Sequence, residues 1–271
     1  MPRVFKENMN RESYLFITLD SCRFDSFVQA NAPNLKGLGT LHKAMAPGYF
    51  TYSSHAAMFM GFTPGIASIE APFLNPKLGK IFKLTGAGFP GKGTEHIALS
   101  GRNIIHGLRA HDYLTLGTSG NEWFNPGVPS GIHLGQEFEQ FHFCSQPQAL
   151  QEQIDWLLPK IDGANQPVFA FANLNETHVP YWHAGAPWSK DLNPCVPFSR
   201  SNDPVESRRR QVACLEFVDR TLAPLLRAFS SANIVVCADH GDCWGEDGLW
   251  EHGIWHEKVF EVPLIMRLNP C

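Results

Sequence analysis

Four stretches of this sequence carry residues able to do chemistry. Asp239-His240-Gly241-Asp242 sets an anionic oxygen beside an imidazole, a donor pair that suits zinc, manganese or iron. An apolar tract ends at Asp20, in the run Asp20-Ser-Cys-Arg-Phe-Asp25. A carboxylate at the end of a buried strand is costly unless a cation binds it or it caps a helix. Thr51 opens the run Thr51-Tyr-Ser-Ser-His55, just ahead of a short helix expected over 53–60. A hydroxyl there gains from the helix N-terminus, whose N–H groups and dipole stabilise an anion. It stays a weak nucleophile at neutral pH until a metal or base activates it, and the same hydroxyls also serve as ordinary caps. Glu176 and His178 follow a strand-like tract, and His252 and His256 stand in a Gly- and Trp-rich segment. Four residues apart, these last two would share a face if that segment were helical.

Short apolar tracts must position these groups. The clearest are 14–20, 167–173, 233–239 and 262–266, with a weaker one at 112–117. Tracts apolar on both sides fit a parallel sheet covered by helices. Helices are expected over 102–110, over 147–158 with Pro147 opening and Pro159 closing it, and over 204–229. The last carries the stripe Val212, Leu215, Val218, Leu222, Leu225 and Leu226, and Pro224 should kink or divide it. Its polar start, Glu206-Ser-Arg-Arg-Arg210, reads as a solvated helix face, with a phosphate-grasping Arg cluster as the alternative. The alternation predicts an α/β fold, a doubly wound and mostly parallel sheet with helices on both faces. Ligands of such sheets sit beyond the carboxyl ends of the strands, where Asp20, Asn173 and Asp239 stand. Segments 62–94 and 182–203, rich in Pro, Gly and aromatic residues, are expected to be loops packed on the sheet that shape a pocket.

Composition narrows the function classes. The chain has 271 residues with 22 Lys plus Arg against 26 Asp plus Glu, a net charge of −4. That balance argues against a surface that coats nucleic acid or a basic membrane-binding face. No apolar run reaches the roughly 18–20 residues of a membrane helix. A single domain over 1–271 is expected. The first 13 residues are charged and lack an apolar core, so a secretory signal is not expected and a cytoplasmic location is. Seven cysteines with no C-x-x-C pair read as reduced thiols. Oligomeric state leaves no mark in the sequence.

In order along the chain, four blocks resemble the alkaline phosphatase superfamily, most of all its sulfatase-like and phosphodiesterase-like branches. They are Asp20-Ser-x-Arg-x-Asp25; Thr51-x-x-x-His55-Ala-Ala-x-Phe-x-Gly61 with Thr63-Pro64; His178-x-Pro180-Tyr181; and Ala238-Asp-His-Gly-Asp242 with Gly245-Glu246, His252-Gly253 and Val262-Pro-Leu264. The resemblance implies a minimal catalytic core. Asp20, Asp239 and His240 would hold a divalent metal, zinc or manganese by donor type, with Thr51 touching it as nucleophile. Glu176, His178 and His252 would hold the substrate's oxyanion or a second metal, and Asp25, His55, Asp242 and His256 would support them from behind. One tight metal is expected, since two-metal members supply an Asp and a His a few residues apart where this chain has Glu176 and His178. Sulfatases place a Cys or Ser in a C/S-x-P-x-R motif and convert it to formylglycine. Thr51 admits no such conversion. The implied activity is hydrolysis of a small anionic phosphate ester, monoester or diester, through a phospho-threonine. Its alternatives are a mutase-type transfer, hydrolysis of a phosphonate or sulfate ester on the same scaffold, and a member that binds a ligand without catalysis.

Overall fold

The computed structural model describes residues 12–61 and 103–270. In chain order its strands are β1 (Tyr14–Leu19), β2 (Leu41–Met45), β3 (Leu114–Ser119), β4 (Gln140–Phe143), β5 (Val168–Leu174), β6 (Asn233–Ala238), β7 (Cys243–Trp244), β8 (Trp250–Glu251) and β9 (Glu261–Arg267). β7 and β8 form a small ribbon, and the other seven make one sheet in the order β2-β9-β6-β1-β5-β3-β4. β9 alone runs against its neighbours, pairing antiparallel with both β6 and β2. The helices are α1 (Phe24–Gln29), α2 (Pro33–Lys36), α3 (Thr51–Met60), α4 (Ile104–Ala110), α5 (Pro129–Gly135), α6 (Leu150–Gly163), α7 (Pro204–Ala228) and α8 (Glu257–Phe260). The doubly wound, mostly parallel α/β architecture is the one the sequence predicts.

Strand alternation sorts the core into two layers. Leu15, Ile17 and Leu19 of β1, with Ala170, Ala172 and Leu174 of β5, pack under two helices. These contribute Ile154 and Leu157 of α6 and Leu215, Val218, Leu222 and Leu225 of α7. Tyr14 and Phe16, with Phe169 and Phe171, face the other way and meet Tyr52, Ala56 and Phe59 of α3, Ile105 of α4, and Phe124, Leu134 and Phe138.

Several expectations need correction. α6 begins at Leu150, not Pro147, and runs through Pro159 to Gly163. α7 is likewise one helix with Pro224 inside it. Both prolines are on exposed faces, where the missing N–H bond costs least. α3 starts at Thr51, two residues earlier than expected. Arg208 and Arg209 are solvated, but Arg210 is buried and bonds Glu206 at 2.6 Å. The 182–203 segment packs on α7, where His183 stacks on Phe217 at 4.4 Å and Ser207 donates to the Pro194 carbonyl. Segment 62–94 lies outside the described residues. Among the described residues, no helix is long and apolar enough to cross a membrane.

Candidate metal centre

The centre follows from strand register. β1 and β6 pair in parallel with Leu19 opposite Ala238, so Asp20 and Asp239, each the next residue, emerge side by side. Ser21 then takes a left-handed φ of 59°, which a non-glycine residue holds only when its surroundings fix it. Here its N–H donates to Asp239 Oδ1 at 3.1 Å and ties the two strand ends together. β5 flanks β1 on the other side, with Leu19 opposite Leu174, and delivers Asn173 and the 175–178 turn to the same edge.

Of the four carboxylate oxygens of Asp20 and Asp239, one lacks a hydrogen-bond partner. Asp20 Oδ2 accepts from Asn121 Nδ2 at 2.7 Å and Asn173 Nδ2 at 3.2 Å. Asp239 Oδ1 accepts from the N–H groups of Ser21 and His240. Asp239 Oδ2 is buried with no hydrogen-bond partner. His240 Nδ1 is 3.1 Å from the Gly241 carbonyl. A carbonyl only accepts, so the proton is on Nδ1 and the lone pair on Nε2. That Nε2 is 3.4 Å from Thr51 Oγ1, 3.5 Å from Asp239 Oδ2 and 3.7 Å from Asp20 Oδ1. These separations are long for hydrogen bonds. They match the roughly 3.3–3.8 Å between two donors bound to one ion at about 2.0–2.2 Å.

Electrostatics point the same way. Burial and the neighbouring Asp20 carboxylate push the Asp239 carboxyl well above its ordinary range. Burial opposes ionisation of Asp20 too, but His178, His240, the Asn173 amide and His252 outweigh it and hold Asp20 low. Burial keeps the His240 imidazole neutral. Two carboxylates and a neutral imidazole in a dry site fit a divalent cation, which would let both acids ionise.

Local packing fixes these donors. Gly241 has no positive φ. Its need is close approach, because a Cβ there would collide with the Lys258 carbonyl, and its N–H donates to the Val259 carbonyl at 2.7 Å. Thr51 is the first residue of α3, and Phe50 before it offers no side-chain cap, so the helix terminus is open to an anion. One turn on, His55 Nδ1 donates to the Thr51 carbonyl at 2.7 Å. Its ring stands edge-on to Phe124 at 5.0 Å, Phe171 at 5.7 Å and Phe59 at 6.0 Å. Burial lowers its pKa to about 4, so it is neutral. Ser54 Oγ donates to the Asp239 carbonyl at 2.6 Å.

A second group adjoins the first. The His240 and His252 rings are 4.3 Å apart, and His178 stands 5.2 Å from His252. Asp242 accepts from His252 Nδ1 at 2.7 Å and from Tyr181 at 2.8 Å, and Tyr181 accepts in turn from the Trp244 indole. Burial works against a charged His252, but the Asp242 hydrogen bond and charge raise its pKa. His240, Asp242 and His252 also stand close enough to share an ion.

Three expected residues lie apart. Glu176 turns away: its Oε1 accepts from the Leu150 N–H at 3.0 Å, capping α6, and burial raises its pKa to about 7. His256 caps α8 through Lys258 N–H at 3.1 Å and shares no helix with His252, since the chain between them is irregular. Asp25 grips the buried Arg23 guanidinium through two hydrogen bonds, and Arg23 reaches the Asp242 carbonyl at 3.2 Å while stacked on Trp244. Asp25 therefore acts through Arg23. The sequence reading gave no role to Asn121 or to Gln211, whose amide donates to the Ser21 and Thr177 carbonyls. Asn121 stands two residues beyond the end of β3, a strand-end position that the rule applied to Asp20 would have flagged.

No family profile matches the sequence, and no curated protein resembles it in sequence. Solved structures do resemble it in fold. A protein of the alkaline phosphatase superfamily from Vibrio parahaemolyticus superposes with a TM-score of 0.56 at 14% identity, over 99% of this chain and 69% of that one. The fold is that of the alkaline phosphatase superfamily. This alkaline phosphatase fold is also shared with the C-terminal periplasmic domain of a phosphoethanolamine transferase from Campylobacter jejuni, at a TM-score of 0.61, 14% identity and 95% and 79% coverage. The phosphonate monoester hydrolase of Agrobacterium radiobacter gives 0.58, 13% identity and 95% and 68% coverage.

Proposed function

We propose that this chain is a metal-dependent phosphoryl-transfer enzyme acting on small anionic phosphate esters, with Thr51 as nucleophile and a divalent cation held by Asp20, Asp239 and His240. The observation that carries this reading is the buried, unpartnered Asp239 Oδ2 facing the His240 lone pair at 3.5 Å, with Thr51 Oγ1 and Asp20 Oδ1 ranged around the same nitrogen. A bound cation supplies the charge that acidifies the Thr51 hydroxyl and polarises the ester oxygen.

The remaining work falls to the chain itself. Thr51 Oγ1 attacks phosphorus in line, the bond to the leaving alcohol breaks, and a phospho-threonine forms at the N-terminus of α3, where helix N–H groups favour the anion. Water then takes the phosphoryl group and restores the hydroxyl. His178 and His252 offer ring N–H groups to the non-bridging oxygens. Asp242 raises the His252 pKa and, by holding Nδ1, leaves Nε2 for the substrate, and His55 fixes the Thr51 backbone. An alcohol in place of water makes the same steps a transfer, a second reading favoured by the likeness to a phosphoethanolamine transferase domain.

Thr51→Ala should lower turnover of aryl phosphate mono- and diesters on the order of 10³-fold or more, with bound metal unchanged by elemental analysis. Wild-type turnover in that variant, or purified protein that takes up no divalent cation, overturns the reading. Added alcohol separates hydrolysis from transfer: phosphorylated alcohol instead of inorganic phosphate marks a transferase. A cytoplasmic, reducing location belongs to the same proposal, supported by six described cysteines that are all buried and unpaired. Recovery of the native protein from an oxidising compartment would reject it.

A further inference from the structure

We infer that His142, Cys144 and Glu152 form another cation site, separate from the Asp20, Asp239 and His240 centre and selective for a soft divalent ion such as zinc. One donor atom from each of the three lies within 4.8 Å of the others. His142 and Cys144 come from the end of β4 and the residue after it, and Glu152 from the first turn of α6. Imidazole, thiolate and carboxylate are three of the donor types zinc takes, and the sulfur disfavours magnesium, calcium and manganese. The three leave a fourth tetrahedral position for water.

The surroundings are those of a built site. The His142 ring is stacked on Trp156 at 5.3 Å and 16°, one helical turn beyond Glu152, so its orientation is set before any ion arrives. Ser145 grips the Glu152 carboxylate through its N–H at 3.2 Å and its hydroxyl at 2.7 Å. The Thr118 hydroxyl is 3.5 Å from Cys144 Sγ, where it can donate to a thiolate. Such outer hydrogen bonds orient ligands and tune the ion they hold. Access is one-sided: the His142 and Glu152 side chains are 29% and 35% exposed, while Cys144 is buried at the base.

Binding requires the three donors to close on one point. His142 Nε2 and Glu152 Oε1 now stand 2.8 Å apart, closer than the roughly 3.3–3.8 Å of two ligands on one ion, so they must part by about half an ångström. The proton on Nε2 moves to Nδ1, the ion's charge displaces to solvent the Cys144 proton whose pKa burial pushes up to about 12, and the ion takes both lone pairs and one carboxylate oxygen. The site also lies behind the main centre. Cys144 N–H donates to the Ser119 carbonyl, Ser119 Oγ accepts from Asn121 N–H, and Asn121 holds Asp20. An ion here would brace the β3–β4 edge that carries Asn121.

The test uses cobalt as a reporter, since a cobalt–thiolate bond absorbs in the near ultraviolet and the main centre offers no sulfur. Co2+ added to the full chain should give that absorption, and Cys144→Ser and His142→Ala should lose it. Asp239→Asn, which disables the main centre, should keep it. Zinc content should fall by about one equivalent per chain in His142→Ala. No thiolate band in the wild-type chain, a band that survives Cys144→Ser, or one lost in Asp239→Asn would each overturn the site. If Cys144→Ser fails to fold, the partly exposed His142→Ala decides. The band is independent of Thr51 turnover, so failure of the catalytic proposal leaves this one standing.

Discussion

The two faces of the sheet are made of different material. Under α6 and α7 the core is mostly aliphatic, with Leu215, Leu222, Ile154 and Ile234 among its buried members and Phe27 and Phe229 as its buried rings. Under α3 it is aromatic, with Phe59, Phe124, Phe138, Phe169 and Phe171 in one cluster and His55 edge-on to three of them. Aliphatic side chains fill space with little directional preference, whereas aromatic rings favour set edge and face geometries. The helix that carries Thr51 rests on the directional face. Both faces contribute bulk burial, and the aromatic one adds the positioning of the proposed nucleophile.

The largest test deletes one core side chain from each face. Phe171→Ala should cost about 3–5 kcal/mol and Leu222→Ala about 2–5 kcal/mol in chemical denaturation. Only Phe171→Ala should also lower turnover of the folded fraction, because it removes a wall of the His55 pocket. Equal activity losses would erase the distinction. Next comes acid. Burial depresses the His55 pKa from 6.5 to about 4, so the unfolded chain binds the extra proton first. The stability this provides is complete above pH 6.5 and is lost as pH falls toward 4, about 3 kcal/mol in all. His55→Phe should remove that acid limb from a denaturation series while lowering turnover about 10–100-fold, as loss of an outer positioning group does. On α7, by contrast, hydrogen bonds from Arg209 and Arg210 hold Glu206 at about 2, and its smaller contribution is lost only between about pH 4.5 and 2. The finest test concerns Asp242. Since it raises the His252 pKa, Asp242→Asn should move the alkaline limb of the activity profile to lower pH. An unmoved limb would remove the imidazolium of His252 from the mechanism.

What the sequence made legible was local. β1 ending at Asp20 and β6 ending at Asp239 read clearly, because a buried strand that stops on an acid is visible within seven letters. That these strands are neighbours in register was not legible, since Ser21 and Asp239, which bond each other, are 218 positions apart. The direction of loop carboxylates was hidden as well. Glu176 turns from the centre because Ala149 cannot cap α6 and the Leu150 N–H needs an acceptor, a demand set by a helix 26 residues upstream. Asn121 is hidden in the sequence because the apolar tract of β3 fades at residue 117 while the strand runs on to Ser119. The prolines at 159 and 224 misled for the opposite reason: a breaker is recognisable anywhere, but whether its missing N–H faces water depends on packing.

The pairing of β1 with β6 has a thermodynamic consequence. Asp20 and Asp239 meet only when the chain has closed nearly its full length, so the proposed cation has no comparable site in the unfolded ensemble. It then acts as a folding ligand, worth about 2.7 kcal/mol at a free concentration a hundred times its dissociation constant. With that cation bound, the melting temperature of this protein would gauge free cation, and chelation would lower it with every covalent bond intact.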